Sequence, residues 1–230
     1  IANPYQETIG GLGFNMAQAS AALVYDNALF GYTSPFAGQR YRFEISPVVG
    51  QLNFVQALAD FRRYLFFRPF TVAVRGLHSG RYGRDDEVFS PQWMGYPYYM
   101  RGYYTAYEDC RNQSVDGCRL YQSMLGTRLA VLNAELRFPL IRALVIGPVG
   151  FPPIEGVAFY DAGVAWDRNT NPVFRRGTTD LEPGERGILS STGVGARINL
   201  LGFAVLEVDY VKPLDSERDW HWQFAFQPGF

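Results

Sequence analysis

The sequence predicts an all-β fold, namely a transmembrane antiparallel up-and-down β-barrel with about eight or nine strands in this chain. Apolar and polar residues alternate with a period of two along most of the 230 residues, as expected for strands with one apolar and one polar face. Aromatic residues make up 16% of the chain although its mean hydropathy is only -0.12. The sequence contains no run of about 18 apolar residues, so it predicts no membrane-spanning helix.

The segment from Thr127 to Phe138 shows the alternation most clearly. Its even positions from 130 onward are apolar, whereas its odd positions include Asn133, Glu135 and Arg137. Successive strand side chains point to opposite faces, so this strand has one apolar face and one charged face. In a membrane barrel the apolar face contacts lipid and the charged face lines the lumen.

Nine segments of the chain carry this pattern. They cover residues 10–27, 39–49, 53–66, 70–83, 127–139, 155–167, 191–201, 203–213 and 220–230. Bacterial single-chain barrels have an even number of strands. The odd total therefore means either that one of the nine is not a strand or that further strands precede Ile1.

The alternation also assigns side chains to faces. The predicted lumen-facing set is charged and consists of Arg42, Glu44, Asp60, Arg62, Arg75, Glu135, Arg137, Asp161, Arg197, Glu207 and Asp209. The predicted lipid-facing set is apolar and consists of Leu132, Leu136, Tyr160, Val164, Ile198, Leu206, Val208 and Phe224. A secreted β-sandwich is the alternative fold. It is less favoured, because a sandwich core needs large aliphatic residues and the apolar positions here are often alanine or aromatic.

Two long polar connections separate the predicted strands, at residues 84–126 and 167–190. The first is rich in tyrosine and contains both cysteines, Cys110 and Cys118. Two thiols with no nearby histidine make a poor zinc site, whereas an exported protein is in an oxidising environment. The sequence therefore predicts a disulfide between Cys110 and Cys118 and no metal site.

Composition and motifs argue against catalysis and against nucleic-acid binding. The 21 basic and 22 acidic residues give a net charge of -1, so no excess of positive charge is available for nucleic acid. His78 and His221 are the only histidines, and no catalytic or phosphate-binding motif occurs. His78 and Ser79 are adjacent strand residues and should point to opposite faces. The sequence predicts neither an enzyme nor a cofactor.

Three features then indicate a family. They are the loop tip Met100-Arg101-Gly102-Tyr103, the strand from Phe159 to Trp166 with Asp161 and Gly163, and a final aromatic strand with Trp222, Phe224, Phe226 and Phe230. In this order they resemble the C-terminal barrel half of the BamA/TamA-like bacterial surface antigen superfamily. The segments SPFAGQRYRFEISP and WQFAFQPGF look like the subgroup fused to TolB-like propellers.

The resemblance implies a barrel of about sixteen strands, of which residues 1–230 would be a single outer-membrane domain or its C-terminal half. Loop 84–126 would be extracellular and would fold back into the lumen. There Arg101, Gly102 and Tyr103 would meet Phe159, Asp161 and Gly163, and we call these six residues the loop-lock motif. The last strand would be the signal that the outer-membrane assembly machinery recognises.

The resemblance also implies a location, partners and a function. The location is the bacterial outer membrane, and the partners are the lipid bilayer, lipopolysaccharide and the assembly machinery. Other outer-membrane or periplasmic proteins, or an N-terminal half, are further partners. The implied function is protein insertion, translocation or surface display. The alternative is a structural or porin-like barrel subunit of a larger complex, and a barrel enzyme is the weakest reading.

Overall fold

The computed structural model describes residues 15–112, 115–141, 144–146, 149–179, 181–200 and 204–228. The strands are β1 (Met16–Gln18), β2 (Ala21–Asp26), β3 (Leu29–Phe30), β4 (Pro35–Gly50), β5 (Phe54–Phe67), β6 (Phe70–Gly83), β7 (Gln92–Trp93), β8 (Leu125–Gly126), β9 (Arg128–Ile141), β10 (Leu144–Ile146), β11 (Val149–Phe151), β12 (Ile154–Trp166), β13 (Asn171–Arg176), β14 (Glu185–Leu200), β15 (Ala204–Pro213) and β16 (His221–Pro228). Two helices, α1 (Ala106–Arg111) and α2 (Val115–Ser123), lie between β7 and β8. Within these ranges, neither helix is long and apolar enough to cross a membrane.

One large sheet dominates the structure. Its strands follow the order β1-β4-β5-β6-β9-β12-β14-β15-β16, and β2, β3 and β13 pair with members of this path. Consecutive main strands are antiparallel neighbours, so the sheet is an up-and-down meander. The predicted antiparallel all-β fold is confirmed. The sheet in the described ranges has twelve strands rather than nine, because the first predicted strand is divided into β1 and β2, and β3 and β13 are additional. Within the described ranges the sheet is open, since no ladder joins β1 or β2 to β16.

The two faces of the sheet differ as the alternation predicts. We call the face that contacts the β6–β9 connection the inner face, and the opposite one the outer face. On the inner face, Asp161 and Glu207 are 0% and 4% exposed. On the outer face, Leu132 and Phe224 are 50% and 63% exposed. The apolar side chains of the outer face are therefore exposed to lipid and not buried in a protein core, as expected for the wall of a membrane barrel.

The first predicted strand, 10–27, is wrong in its extent. Its described part is broken into β1 and β2, both of which pair with β4. Between them, the Ala19 amide donates to the Pro47 carbonyl at 3.2 Å. Pro47 has no N–H to return a hydrogen bond, so the ladder is interrupted at this point. Residues 10–14 lie outside the described residues.

The second long connection is shorter than predicted, because β14 begins at Glu185 rather than at residue 191. The pairing of β12 with β14 stops at Gly163 opposite Leu189. Beyond that point β13 runs parallel to β14, from Asn171 opposite Glu185 to Arg176 opposite Ile188. The connection itself, through β13, therefore supplies the hydrogen-bonding partner for the first residues of β14.

The β6–β9 connection is not an irregular loop. Besides α1 and α2, it contains a short ladder of β7 with β8. Its apolar side chains pack against apolar side chains of the inner face, and together they form one buried cluster. The cluster contains Leu77, Met94, Met100, Tyr103, Ala106, Leu120, Met124, Leu129, Val131, Ala165 and Leu189. Burial of this cluster fixes the connection against β6, β9, β12 and β14, which positions the residues described next.

Candidate functional site

The tip of the β6–β9 connection carries a buried arginine that meets a buried aspartate of the wall. Arg101 Nε lies 2.8 Å from Asp161 Oδ2, and Arg101 Nη2 lies 2.8 Å from Asp161 Oδ1. The backbone amide of Arg101 also donates to Asp161 Oδ2, at 3.2 Å. This bidentate geometry matches the planar guanidinium to the planar carboxylate. The contact expected from the loop-lock motif is present.

Arg101 also reaches two other strands. Its Nη1 atom lies 2.8 Å from Glu135 Oε1 on β9 and 3.3 Å from Glu207 Oε1 on β15. Its guanidinium lies over the ring of Phe159, 3.6 Å from the centroid, which adds a cation–π contact. The side chain of one loop residue is therefore held by β9, β12 and β15 together.

Two wall arginines complete a charge network around this arginine. Arg197 Nη2 lies 2.9 Å from Glu135 Oε1 and 2.8 Å from Glu207 Oε1, and Arg137 Nη2 lies 2.7 Å from Glu135 Oε2. Three guanidinium groups thus face the three carboxylates of Asp161, Glu135 and Glu207. Each of these six groups has an opposite charge within salt-bridge distance, which offsets the high cost of burial.

The charge state of Arg101 follows from this environment. Burial by itself would lower the pKa of Arg101, but the carboxylates of Asp161, Glu135 and Glu207 outweigh burial and raise that pKa. The group stays charged, so the tip remains a buried cation. Such a cation is stable only where the wall supplies anions. The wall carboxylates therefore select the position of the loop tip.

Gly102 and Tyr103 anchor the tip beside Arg101. Gly102 has a φ of 89°, and its amide donates to Gln223 Oε1 on β16 at 2.7 Å. A Cβ atom there would lie 2.9 Å from Val211 Cγ2, so the wall approaches the backbone closely. The Tyr103 hydroxyl donates to the Ser190 carbonyl at 2.6 Å. Burial and the carboxylate of Asp215 raise the pKa of Tyr103, so the phenol remains a donor.

Gly163 is the last member of the loop-lock motif, and it makes room for the connection on β12. A Cβ atom at Gly163 would lie 2.7 Å from Met94 Sδ and 3.0 Å from Met100 Sδ. Both methionine side chains are fully buried. The glycine therefore lets two flexible side chains of the connection pack directly on the wall.

The predicted disulfide is confirmed. Cys110, in α1, is bonded to Cys118, in α2, and thereby joins the two short helices. Arg218 Nη2, in the β15–β16 connection, lies 2.7 Å from Asp109 Oδ1 next to the disulfide. The helical part of the long connection is thus covalently closed and also tied to a neighbouring connection.

Sequence reasoning missed a second buried carboxylate in the long connection. Asp86 is 0% exposed and lies 2.8 Å from Arg128 Nη2 and 2.6 Å from Arg168 Nη2. It therefore ties the start of the β6–β9 connection to β9 and to the β12–β13 turn. No signal marks Asp86 in the sequence, since it sits in the polar run Arg84–Glu87 like an ordinary solvated acid.

The remaining predicted residues lie elsewhere. Trp222, Phe224 and Phe226 point outward from β16 and are 63–71% exposed, while Phe230 lies outside the described residues. The His78 ring bonds the Leu129 carbonyl and the Tyr82 hydroxyl, whereas Ser79 Oγ donates to Gln92. His78 and Ser79 therefore occupy different environments, as their adjacent strand positions predict.

The sequence and the fold of this chain are similar to those of known proteins. A family model described as the Omp85 superfamily domain matches residues 9–230. Among solved structures, the chain is similar to the crystal structure of BamA from Haemophilus ducreyi lacking POTRA domains 1–3. That match has a TM-score of 0.59 at 15% sequence identity, and it covers 91% of this chain and 41% of that one. No curated protein matches the chain.

Proposed function

This chain belongs to the Omp85 superfamily and is a β-barrel segment of the bacterial outer membrane, and from that premise we propose that it acts in protein insertion, translocation or surface display. The match covers 41% of the BamA chain, so this chain spans about two fifths of the length of that structure. The proposal therefore concerns the part that this segment plays. We propose that part to be a lumen wall with a loop docked inside it, on the extracellular side.

The buried cluster around Arg101 is the observation that carries the proposal. A structural barrel could hold its loop with apolar contacts alone, and replacing a buried ion network by apolar residues is often neutral or stabilising. A cluster of buried charges instead specifies one arrangement, since any displacement separates charges in a poorly solvated site. We propose that this network defines the closed position of the loop. Movement of the tip away from Asp161 would then open the lumen.

The free edge of β16 supports the same function. β16 pairs with β15 on one side, and within the described ranges no strand lies on its other side. An unpaired edge presents a row of N–H and C=O groups to an incoming strand. We propose that this edge receives either another part of the same barrel or a strand of a client protein. Trp222, Phe224 and Phe226, with Phe230, would be the aromatic signal that inserts this strand.

A reconstitution experiment tests the proposed function. The intact protein is placed in lipid vesicles, and a urea-denatured outer-membrane barrel is added as client. We expect the client to fold faster than with empty vesicles, measured as the fraction that migrates in the compact form on unheated gels. Arg101→Ala should lose most of the acceleration, because the proposed activity needs a tip that moves between one defined docked position and an open one, and the variant lacks the docked position.

The matched control is Arg84→Ala, in the same connection. The Arg84 side chain is 74% exposed and pairs only with Asp85 among the side-chain contacts described, so its removal should leave client folding unchanged. A protein that conducts ions but does not accelerate folding would contradict the proposal. That result would favour the structural or porin-like barrel.

A further inference from the structure

An apolar groove of about 420 Å³ opens on the outer face of the sheet. Its lining includes Ala130, Leu132, Ala162, Val164, Trp166 and Phe174, from β9, β12 and β13. A volume of this size falls within the range of about 300–1,000 Å³ that is typical of sites for small molecules. The groove is separate from the Arg101 network, which lies on the inner face.

Small residues on β9 and β12, together with residues of β13, form the groove. Ala162 lies opposite Leu132 in the ladder, and Ala130 lies opposite Val164, so an alanine occurs in each pair on the floor. β13, which pairs with β14, contributes Phe174 to the lining, and the Phe174 side chain is fully exposed. An exposed phenylalanine beside an apolar groove is unfavourable in water but suits a hydrocarbon environment.

Aromatic residues at the mouth of the groove place it near the edge of the membrane. Trp166 stacks on His78 with ring centroids 5.7 Å apart, and His78 in turn bonds Tyr82 at 2.6 Å. Tryptophan and tyrosine are enriched at the membrane interface, at the level of the lipid headgroups. Arg168, two residues after Trp166, bonds the Arg84 carbonyl at the start of the β6–β9 connection. The groove is therefore at the same end of the wall as the long connection.

Basic side chains lie at this end of the wall. Arg168 and Arg176 have half-exposed side chains, whereas their carboxylate partners, Asp86 and Asp215, are 0% and 5% exposed. The acids are thus inside and the guanidinium groups outside. Arg175, directly after Phe174, is 62% exposed and lies 3.9 Å from Glu185. Exposed guanidinium groups on the strand that borders an apolar groove are complementary to a lipid that combines acyl chains with phosphate.

We infer that this groove holds one acyl chain of lipopolysaccharide, with a phosphate of its lipid A part near Arg175 and Arg176. The choice of an outer-leaflet lipid rests on the proposed extracellular position of the β6–β9 connection. The floor of the groove lies on β9 and β12, the fifth and sixth strands of the main order, away from both free edges of the sheet. Additional barrel strands pairing at those edges would therefore leave it open to lipid.

Filling the groove tests this inference. In the variant Ala130→Leu/Ala162→Leu, two larger side chains occupy the floor. The control is Ala134→Leu/Ala158→Leu, which makes the same change at outward positions of the same strands outside the groove. The intact protein is extracted from its membrane, and the lipid A that remains bound is counted by native mass spectrometry. Purified lipid A and phosphatidylglycerol are then added back in separate titrations.

We expect the control to bind lipid A like the wild type and the filled variant to bind it about tenfold more weakly or worse, as expected when two or more methylene groups lose their contact. Arg175→Ala/Arg176→Ala should weaken lipid A binding more than phosphatidylglycerol binding. Equal lipid A binding by the filled and control variants would overturn the groove as a site. Phosphatidylglycerol binding that equals lipid A binding, with the same dependence on the arginines, would overturn the choice of lipopolysaccharide.

The orientation is tested separately, so that its failure can be told apart. A cysteine placed at the exposed Arg84 should react with a membrane-impermeant thiol reagent added to intact cells. Absence of that reaction would contradict the extracellular position of the connection, and with it the outer-leaflet lipid. Loss of client folding activity would instead bear on the proposed function alone.

Discussion

Replacing Arg101 by alanine should destabilise the protein by about 3–5 kcal/mol, because Asp161 and Glu135 would stay buried without this partner. The expected result is a lower free energy of unfolding in urea, followed by tryptophan fluorescence of the protein in lipid vesicles. The connection should also be cut faster by protease. Because the tip is docked on the inner face of the wall, its release should open the lumen. Ion conductance in a planar bilayer should therefore rise.

Arg101→Lys and a double-mutant cycle make this prediction specific. Lysine keeps the charge but lacks the planar fork that meets both oxygens of Asp161, so we expect an intermediate loss. Adding Asp161→Ala to Arg101→Ala should cost less than Asp161→Ala does in the wild type, since the two groups interact directly. If Arg101→Ala behaved like the exposed control Arg84→Ala in stability and protease resistance, the docked arginine would be excluded.

Replacing Glu135 by alanine should have a comparably large effect, again about 3–5 kcal/mol, because this carboxylate lies at the centre of the network. It contacts Arg101, Arg137 and Arg197 at 2.7–2.9 Å, and its side chain is 9% exposed. Its loss would leave three buried guanidinium groups with two carboxylates. Unlike the change at Arg101, it should weaken the wall itself, seen as a lower temperature for loss of the compact form on gels.

Glu44→Ala provides the matched control for Glu135. Glu44 is also an inward-facing glutamate, on β4, but the side chain of its partner Arg42 is 56% exposed. Exposed pairs contribute roughly 0–1 kcal/mol, so the control should change stability little. Glu135→Gln should lie between the two, since the amide keeps an acceptor but loses the charge. Equal stability of Glu135→Ala and Glu44→Ala would show that burial of the network contributes little.

The two faces of the wall could be predicted from the sequence because strand geometry repeats every two residues. Glu135 and Leu132 differ in parity, and that fact alone places them on opposite faces. The contact between Arg101 and Asp161 was predicted from the family resemblance together with the inward parity of Asp161. Neither needed knowledge of how distant segments are arranged. The resemblance to barrels fused to TolB-like propellers stays a prediction.

Features that depend on long-range arrangement could not be predicted in the same way. Glu135 and Glu207 were expected to face inward, but their shared contact with Arg101 depends on the register of several strands and on the path of the loop. The helices α1 and α2 have six and nine residues, too short to form without tertiary contacts. Asp86 is buried at a point where Arg128 and Arg168 converge on it from separate elements.

The central claim is that the tip of the β6–β9 connection is docked against the inner face of the wall. Cysteines at Gly102 and Val211 test it most directly, because a Cβ atom at Gly102 would lie 2.9 Å from Val211 Cγ2. The control pair is Gly102→Cys with Tyr210→Cys, since Tyr210 is the outward-facing neighbour on β15. Mild oxidation in native membranes should cross-link the first pair and not the second, as read from peptide masses. Failure of the first pair to cross-link while both of its thiols react with a small maleimide would contradict the docked tip.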